Sequence, residues 1–126
     1  MRWWNAYHRR KQERRAEKRL EREAGVLKRH EAVQAYEPMV RGVLEQFKHT
    51  DFPDSEFLKT GPEEWELRHL SGTGEIQTDL KIELHFGENR PHSFVCVYYR
   101  FNGMHMRQAP LRREALVQAV RKCISS

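Results

Sequence analysis

From Trp3 to about Ala35 the sequence is dominated by Arg, Lys, Glu, Ala and Gln, with no proline and a single glycine, Gly25. Intrinsic propensity makes such a stretch helical. Between Ala16 and Ala24, however, Leu20 is the only large apolar side chain, and a helix without an apolar stripe has nothing to bury. It must project into solvent or lie on a partner. The chain therefore divides into a basic helical arm, residues 1–35, and a compact domain, residues 36–126. The hydrophobic fraction of 38% is below the roughly 45–50% usual for globular chains, and the deficit belongs to the arm.

Charge divides in the same way. Residues 1–30 hold 11 basic and 4 acidic side chains (+7), residues 31–106 hold 7 and 13 (−6), and residues 107–126 hold 5 and 1 (+4). Two basic ends around an acidic body point to a polyanionic partner. Within the arm Arg10, Arg14, Lys18 and Arg22 form one i, i+4 row and Lys11, Arg15 and Arg19 a neighbouring one, with Glu13, Glu17 and Glu21 beside them. Arg9 with Glu13, Arg14 with Glu17, Lys18 with Glu21 and Arg19 with Glu23 are spaced to pair, each contributing about 0.2–0.5 kcal/mol. A solvated, salt-bridged helix accounts for this pattern. So does a nucleic-acid contact in which Arg9, Arg10, Lys11, Arg14, Arg15, Lys18, Arg19 and Arg22 follow a phosphate backbone and release its counterions, although the carboxylates dilute the field. Trp3, Trp4 and Tyr7 precede the charges on about one face. They suit base stacking, a membrane interface, a protein pocket or packing on the chain's own body.

Apolar residues return at helical spacing from Val26 through Phe47. Pro38 interrupts them and predicts a break near Glu37, with a second helix ending near Lys48. His49 to Pro62 has a loop signature, with Phe52, Phe57 and Leu58 plugging the core and a helical turn starting at Asp54 or Ser55. Three strands follow, Glu64–Leu70, Thr78–Phe86 and Phe94–Phe101, and Phe101-Asn102-Gly103-Met104 is the strongest hairpin signal, implying a fourth. Leu67 opposite Leu80 and Trp65 opposite Ile82 put apolar pairs on one face, with Arg68 opposite Asp79 and Glu66 opposite Lys81 on the other. Extending that register sets Leu84 against Val95, Ile82 against Val97 and Leu80 against Tyr99, with Met106 joining the core. Pro110 opens a last amphipathic helix running through Ile124. The expected fold class is α+β, an antiparallel meander of three to four strands covered on one face by two helices in the order α-β-β-β-(β)-α.

That register leaves Phe94, Cys96, Tyr98 and Arg100 on the outer face, flanked by His85, His105 and Arg107. Phe94 and Tyr98 then form an aromatic platform for a nucleic-acid strand or a protein, unless the arm folds back over them. Arg107, Arg112 and Arg113 make an electropositive start to the last helix that could hold an anion, or are simply exposed. His85 and His105 lack a third metal ligand, Cys96 and Cys123 form no motif and fit structural thiols, and no carboxylates converge as an acid/base pair. Ser71-Gly72-Thr73-Gly74 joins two antiparallel strands and so lacks the strand-to-helix context of a nucleotide loop. Neither metal, cofactor, small-molecule substrate nor enzymatic activity is expected.

The helix and strand order over about Glu37 to Ile124, with Arg112-Arg113-Glu114-Ala115 opening the last helix, is similar in coarse layout to the double-stranded RNA-binding domain. Where that family has Gly-Pro-x-His in a hairpin turn this chain has Ser71-Gly72-Thr73-Gly74, the lysine cluster is only partly matched, and His49 to Glu63 is longer. The similarity is one of layout and assigns no family. The expected function is non-enzymatic binding of nucleic acid, RNA or nucleoprotein in preference to a DNA site, through the basic arm. The alternative is an adaptor or accessory subunit whose N-terminal helix docks on a larger complex through Trp3, Trp4, Leu20, Val26 and Leu27. Binding to an anionic membrane surface is a weaker third. No run of roughly 18 apolar residues predicts a spanning helix, and Met1-Arg2-Trp3-Trp4 leads into charge instead of a signal-peptide core. The expected compartment is the cytoplasm, or the nucleus in a eukaryote, where Arg9-Arg10-Lys11 and Arg14-Arg15 suit an import address.

Overall fold

The computed structural model describes residues 2–101 and 103–126, Arg2 by its backbone only. Helix α1 (Arg2–Thr50) is followed by β1 (Glu56–Gly61), β2 (Glu64–Leu70), β3 (Ile76–Gly87), β4 (Arg90–Arg100), β5 (Gly103–Ala109) and α2 (Arg113–Ser125). The five strands form one antiparallel sheet in the order β1-β2-β3-β4-β5. Side chains of both helices share one core with one face of that sheet. The fold is α+β as expected, with five strands in place of three or four, and so departs from the three-stranded layout of the RNA-binding domain.

The break expected near Glu37 is absent, and α1 runs unbroken through Pro38. A proline inside a helix costs about 3 kcal/mol, through a lost hydrogen bond and a ring clash. Against that stands one apolar stripe, Val33, Tyr36, Val40, Val43, Leu44 and Phe47, that packs on the sheet from both sides of the proline. Each such side chain contributes about 1.5–3 kcal/mol on full burial, so packing outweighs the proline. Pro38 and Gln34 are both exposed, so the carbonyl left without its N–H partner faces water.

The expected loop between His49 and Pro62 contains a strand. Phe57 pairs with Leu67 and packs on the core, but Leu58 lies opposite Glu66 and is 42% exposed, so it does not plug the core. An edge strand forms there because β2 offers it a ladder and Phe57 supplies the apolar contact.

Strands β2 and β3 keep the expected register at Trp65↔Ile82, Glu66↔Lys81 and Leu67↔Leu80, after which a shift sets Arg68 against Thr78 and leaves Asp79 as the extra residue. Strand β4 departs by one position, with Leu84↔Phe94, Ile82↔Cys96 and Leu80↔Tyr98. A bulge beside the β3–β4 turn explains the slip, leaving His92 as the extra residue of β4. Gly87 pairs with Arg90 across only two residues, Glu88 (φ 52°) and Asn89 (φ 63°), both left-handed, and a register shift falls between His85 and Phe86. Two left-handed residues are the signature of a type I′ hairpin, tighter than the five-residue connection expected. A one-residue slip exchanges the faces of a strand. Phe94 and Cys96 are consequently fully buried, the ring of Phe94 meets Tyr36 edge-on at 5.7 Å, and Met106, expected in the core, is 57% exposed opposite Val97. Asn102, at the hairpin signal, lies outside the described residues, while β4 and β5 pair from Arg100↔Gly103 to Phe94↔Ala109.

Helix α2 buries Leu116, Ala119, Val120 and Cys123. Arg112 stands at its N-cap without a side-chain cap, and the Arg100 guanidinium donates to the Ile124 carbonyl near its other end.

Candidate nucleic-acid interface

Helix α1, with 49 residues, is about 74 Å long at 1.5 Å per residue, far longer than the sheet it packs on. Its contact with the body begins at Gly25, where a Cβ would lie 2.7 Å from the Asn89 side-chain nitrogen. The glycine lets the helix pass the β3–β4 turn. Ahead of it, from Trp3 to Ala24, every side chain is exposed except the half-buried Ala16. The arm stands clear of the body.

Arg9, Arg10, Lys11, Arg14, Arg15, Lys18, Arg19 and Arg22 are all exposed. Among the described residues none of them forms an ion pair, and the expected pairs with Glu13, Glu17, Glu21 and Glu23 do not close. At about 100° per residue, Lys11, Arg14, Arg15, Lys18, Arg19 and Arg22 fall within an arc of about 140°, with Arg10 at its border. Glu21 lies at that same border beside Arg14, and Glu13, Glu17 and Glu23 fall on the other side, together with Arg9, Leu20, Ala24 and Leu27.

Because α1 is unbroken, the phase carries into the packed half. The direction that carries cations in the arm is the one that carries Val33, Tyr36, Val40, Leu44 and Phe47 onto the sheet. The basic face thus looks toward the side on which the body lies, and the acidic face away from it. Trp4 and Tyr7 share the basic direction. At the tip, Trp3 is 71%, Trp4 51% and Tyr7 55% exposed, and these rings touch one another and His8, Trp4 lying 4.6 Å from His8 and edge-on to Trp3 at 5.7 Å. The arm does not fold back to cover the sheet.

The rest of the expected site separates from the arm. Phe94 is buried and Tyr98 is half-buried beneath Phe52 at 6.0 Å, so neither forms an open stacking platform. The free face of β4 and β5 carries Val95, Val97 and Tyr99 opposite Gln108, Met106 and Met104 instead. Arg107, Arg112 and Arg113 are exposed where β5 passes into α2.

Three polar clusters were not singled out in sequence; two of them depend on the bulge and on strand register, and the third is a row along β3 itself. Asp79, the extra residue of β3, accepts hydrogen bonds from the Ser55 hydroxyl and from the His69 imidazole (2.8 Å) on the same oxygen. With the carboxylate in the middle, the serine proton is directed at Asp79 and not at a base, so this is a clip joining the start of β1 to β3. Glu83 sits between Lys81 (2.9 Å) and His85 (2.7 Å). Burial alone would raise its carboxyl, but hydrogen bonds from His85 and Lys81 hold it below the ordinary range. Burial likewise works against the Lys81 ammonium, yet Glu83 and Tyr99 hold it above its ordinary value. Cys96 and Cys123 are buried unlinked thiols with sulfurs 3.8 Å apart. Burial and the neighbouring Cys123 push Cys96 up to about 12, which makes it a poor nucleophile.

Among the described residues no three His, Cys, Asp or Glu side chains group closely enough to hold a metal ion, and no helix is long and apolar enough to cross a membrane. Comparison with protein-family models, curated proteins and solved structures gave no match.

Proposed function

We propose that the protein is a non-enzymatic nucleic-acid-binding protein, acting on RNA or a nucleoprotein, whose projecting arm lays one basic face along a phosphate backbone. The observation that carries this reading is the segregation of six unpaired cations, Lys11, Arg14, Arg15, Lys18, Arg19 and Arg22, onto the side of α1 shared by Trp4 and Tyr7. Cations spaced by a helical turn neutralise successive phosphates, and the rings at the tip stack on unpaired bases. Glu13, Glu17 and Glu23 face away from that contact, and Glu21 borders it. The cytoplasm, or the nucleus in a eukaryote, is the compartment this reading implies.

A salt titration with a single-stranded RNA oligonucleotide tests it. Six phosphate contacts on a single strand predict a slope of log K against log salt of about −4, with Trp3 and Trp4 fluorescence quenched and that of buried Trp65 unchanged. An affinity independent of salt would overturn the electrostatic contact.

One observation favours an adaptor as the second reading. Leu20, Val26 and Leu27 are 60%, 68% and 57% exposed, and Leu20 and Leu27 lie away from the basic face. Replacing Leu20 and Leu27 by Ala would then weaken a protein complex by more than about 1 kcal/mol, as for interface anchors, and leave RNA affinity unchanged.

A further inference from the structure

The sheet has two free edges, and they are built differently. Strand β1 carries Lys59 and a register shift between Leu58 and Gly61; a helix packs beside each edge strand, α1 on β1 and α2 on β5, and a proline, Pro62 or Pro110, follows each. A lysine and an irregularity are among the usual means of keeping an edge from pairing with another chain. Strand β5 has neither. It pairs with β4 over seven consecutive residues, Gly103–Ala109, without a shift, a lysine or an internal proline. Its outer row of backbone N–H and C=O groups is a ready template for one more strand.

The side chains along that edge say what kind of strand it takes. On the helix side β5 presents His105 and Arg107, opposite Tyr98 and Cys96, and on the free face Met104 and Met106, opposite Tyr99 and Val97. Arg112 and Arg113 follow where the chain turns into α2, and Glu114 is the one carboxylate from residue 107 to the end of the chain. Among the described residues Arg107, Arg112 and Arg113 have no ion-pair partner. Met104 and Met106 are 59% and 57% exposed. We propose that the β5 edge binds an extended acidic peptide as a sixth strand. Its carboxylates alternate toward Arg107 and Arg113, and its apolar residues lie beside Met104 and Met106.

A second copy of the chain is a poorer occupant. Antiparallel pairing of β5 with itself about Met106 sets His105 against Arg107 and brings two arginine clusters together without a carboxylate, and like charges placed opposite each other destabilise a ladder. A polynucleotide would use the arginines but not the row of peptide groups. The site is independent of the arm, so failure of either proposal leaves the other standing.

The test uses the full chain and a fluorescent seven-residue peptide alternating Glu with Val or Thr, read by anisotropy. The expected result is binding at least tenfold tighter than for the same peptide with Lys in place of Glu. Arg107→Ala with Arg113→Ala should weaken it at least tenfold, with circular dichroism unchanged. N-methylation of alternate peptide amides should abolish binding, and hydrogen exchange should slow in β5 but not in β1. Equal binding of the N-methylated peptide or of the Lys peptide, or no added protection in β5, overturns the proposal. So do displacement of the peptide by an RNA oligonucleotide that protects the same arginines, and a β5-paired dimer in sedimentation.

Discussion

Glu88 and Asn89 hold the two left-handed positions of the β3–β4 hairpin. Asparagine tolerates that region, whereas glutamate bears a steric cost of about 1–2 kcal/mol there. Glu88 is exposed, so Glu88→Asn should stabilise the protein by about 0.5–1 kcal/mol, read from urea unfolding. A loss of stability would mean that its side chain makes a contact worth more than the strain. Glu83 gives a pH signature. Its carboxyl is held below the ordinary range by His85 and Lys81, so its contribution is complete above the unfolded carboxylate value of about 4.3 and is lost as pH falls through the lowered folded value. Glu83→Gln should cost less than about 1 kcal/mol at neutral pH, since the pair is partly solvated. The difference from wild type should vanish in acid unfolding curves at low pH. The thiols of Cys96 and Cys123, buried and far from ionised, should react with a disulfide reagent only at the rate at which the core opens. Fast native labelling would contradict their burial.

Among the elements, α1 shows packing prevailing over local preference. Pro38→Ala restores a hydrogen bond to Gln34 and removes a ring clash on the exposed side. The expected gain is about 1–2 kcal/mol, reduced from the full proline penalty because proline also stiffens the unfolded chain. Thermal unfolding measures it, and a lowered midpoint would show that the core needs the helix bent at that point. From Trp3 to Glu23 every side chain is exposed except the half-buried Ala16, so deleting residues 3–23 should hardly move the midpoint while RNA affinity collapses. The strands differ in how far they could be read in advance. For β2 and β3, apolar pairs and opposite charges choose the same alignment, Trp65 with Ile82 and Glu66 with Lys81. In β4 both alternating sets are apolar, Phe94, Cys96 and Tyr98 against Val95, Val97 and Tyr99, so pattern alone cannot say which set is buried. The bulge at His92, where Phe86 pairs with Pro91 but His85 with Ser93, makes that choice. β1 was hidden for a related reason, since a short edge strand with one half-buried ring, Phe57, has almost no periodicity to read.

At the scale of the whole molecule, charge and packing are separated along a single helix. Its first half spends its positive charge on one side and its negative charge on the other, and its second half spends the first of those directions on the core. A ligand on the basic face is therefore brought alongside the end of the sheet where the β3–β4 turn meets Gly25. The basic tail begins at the β5 edge, where Ala109 pairs with Phe94 and the chain turns into α2. The sequence by itself determined that the first two dozen residues form a helix with no core of its own, that charge is basic at both ends, and that the rest is an antiparallel sheet under helices. Those properties follow from composition and from periods of 3.6 and 2, which are local. Only the tertiary structure decided that Pro38 does not end the helix, that Phe94 and Tyr98 point inward, and which way the arm's cations face. Each of those depends on contacts between residues distant in sequence, where burial of one side chain against another exceeds the local cost that a reading of neighbours can weigh.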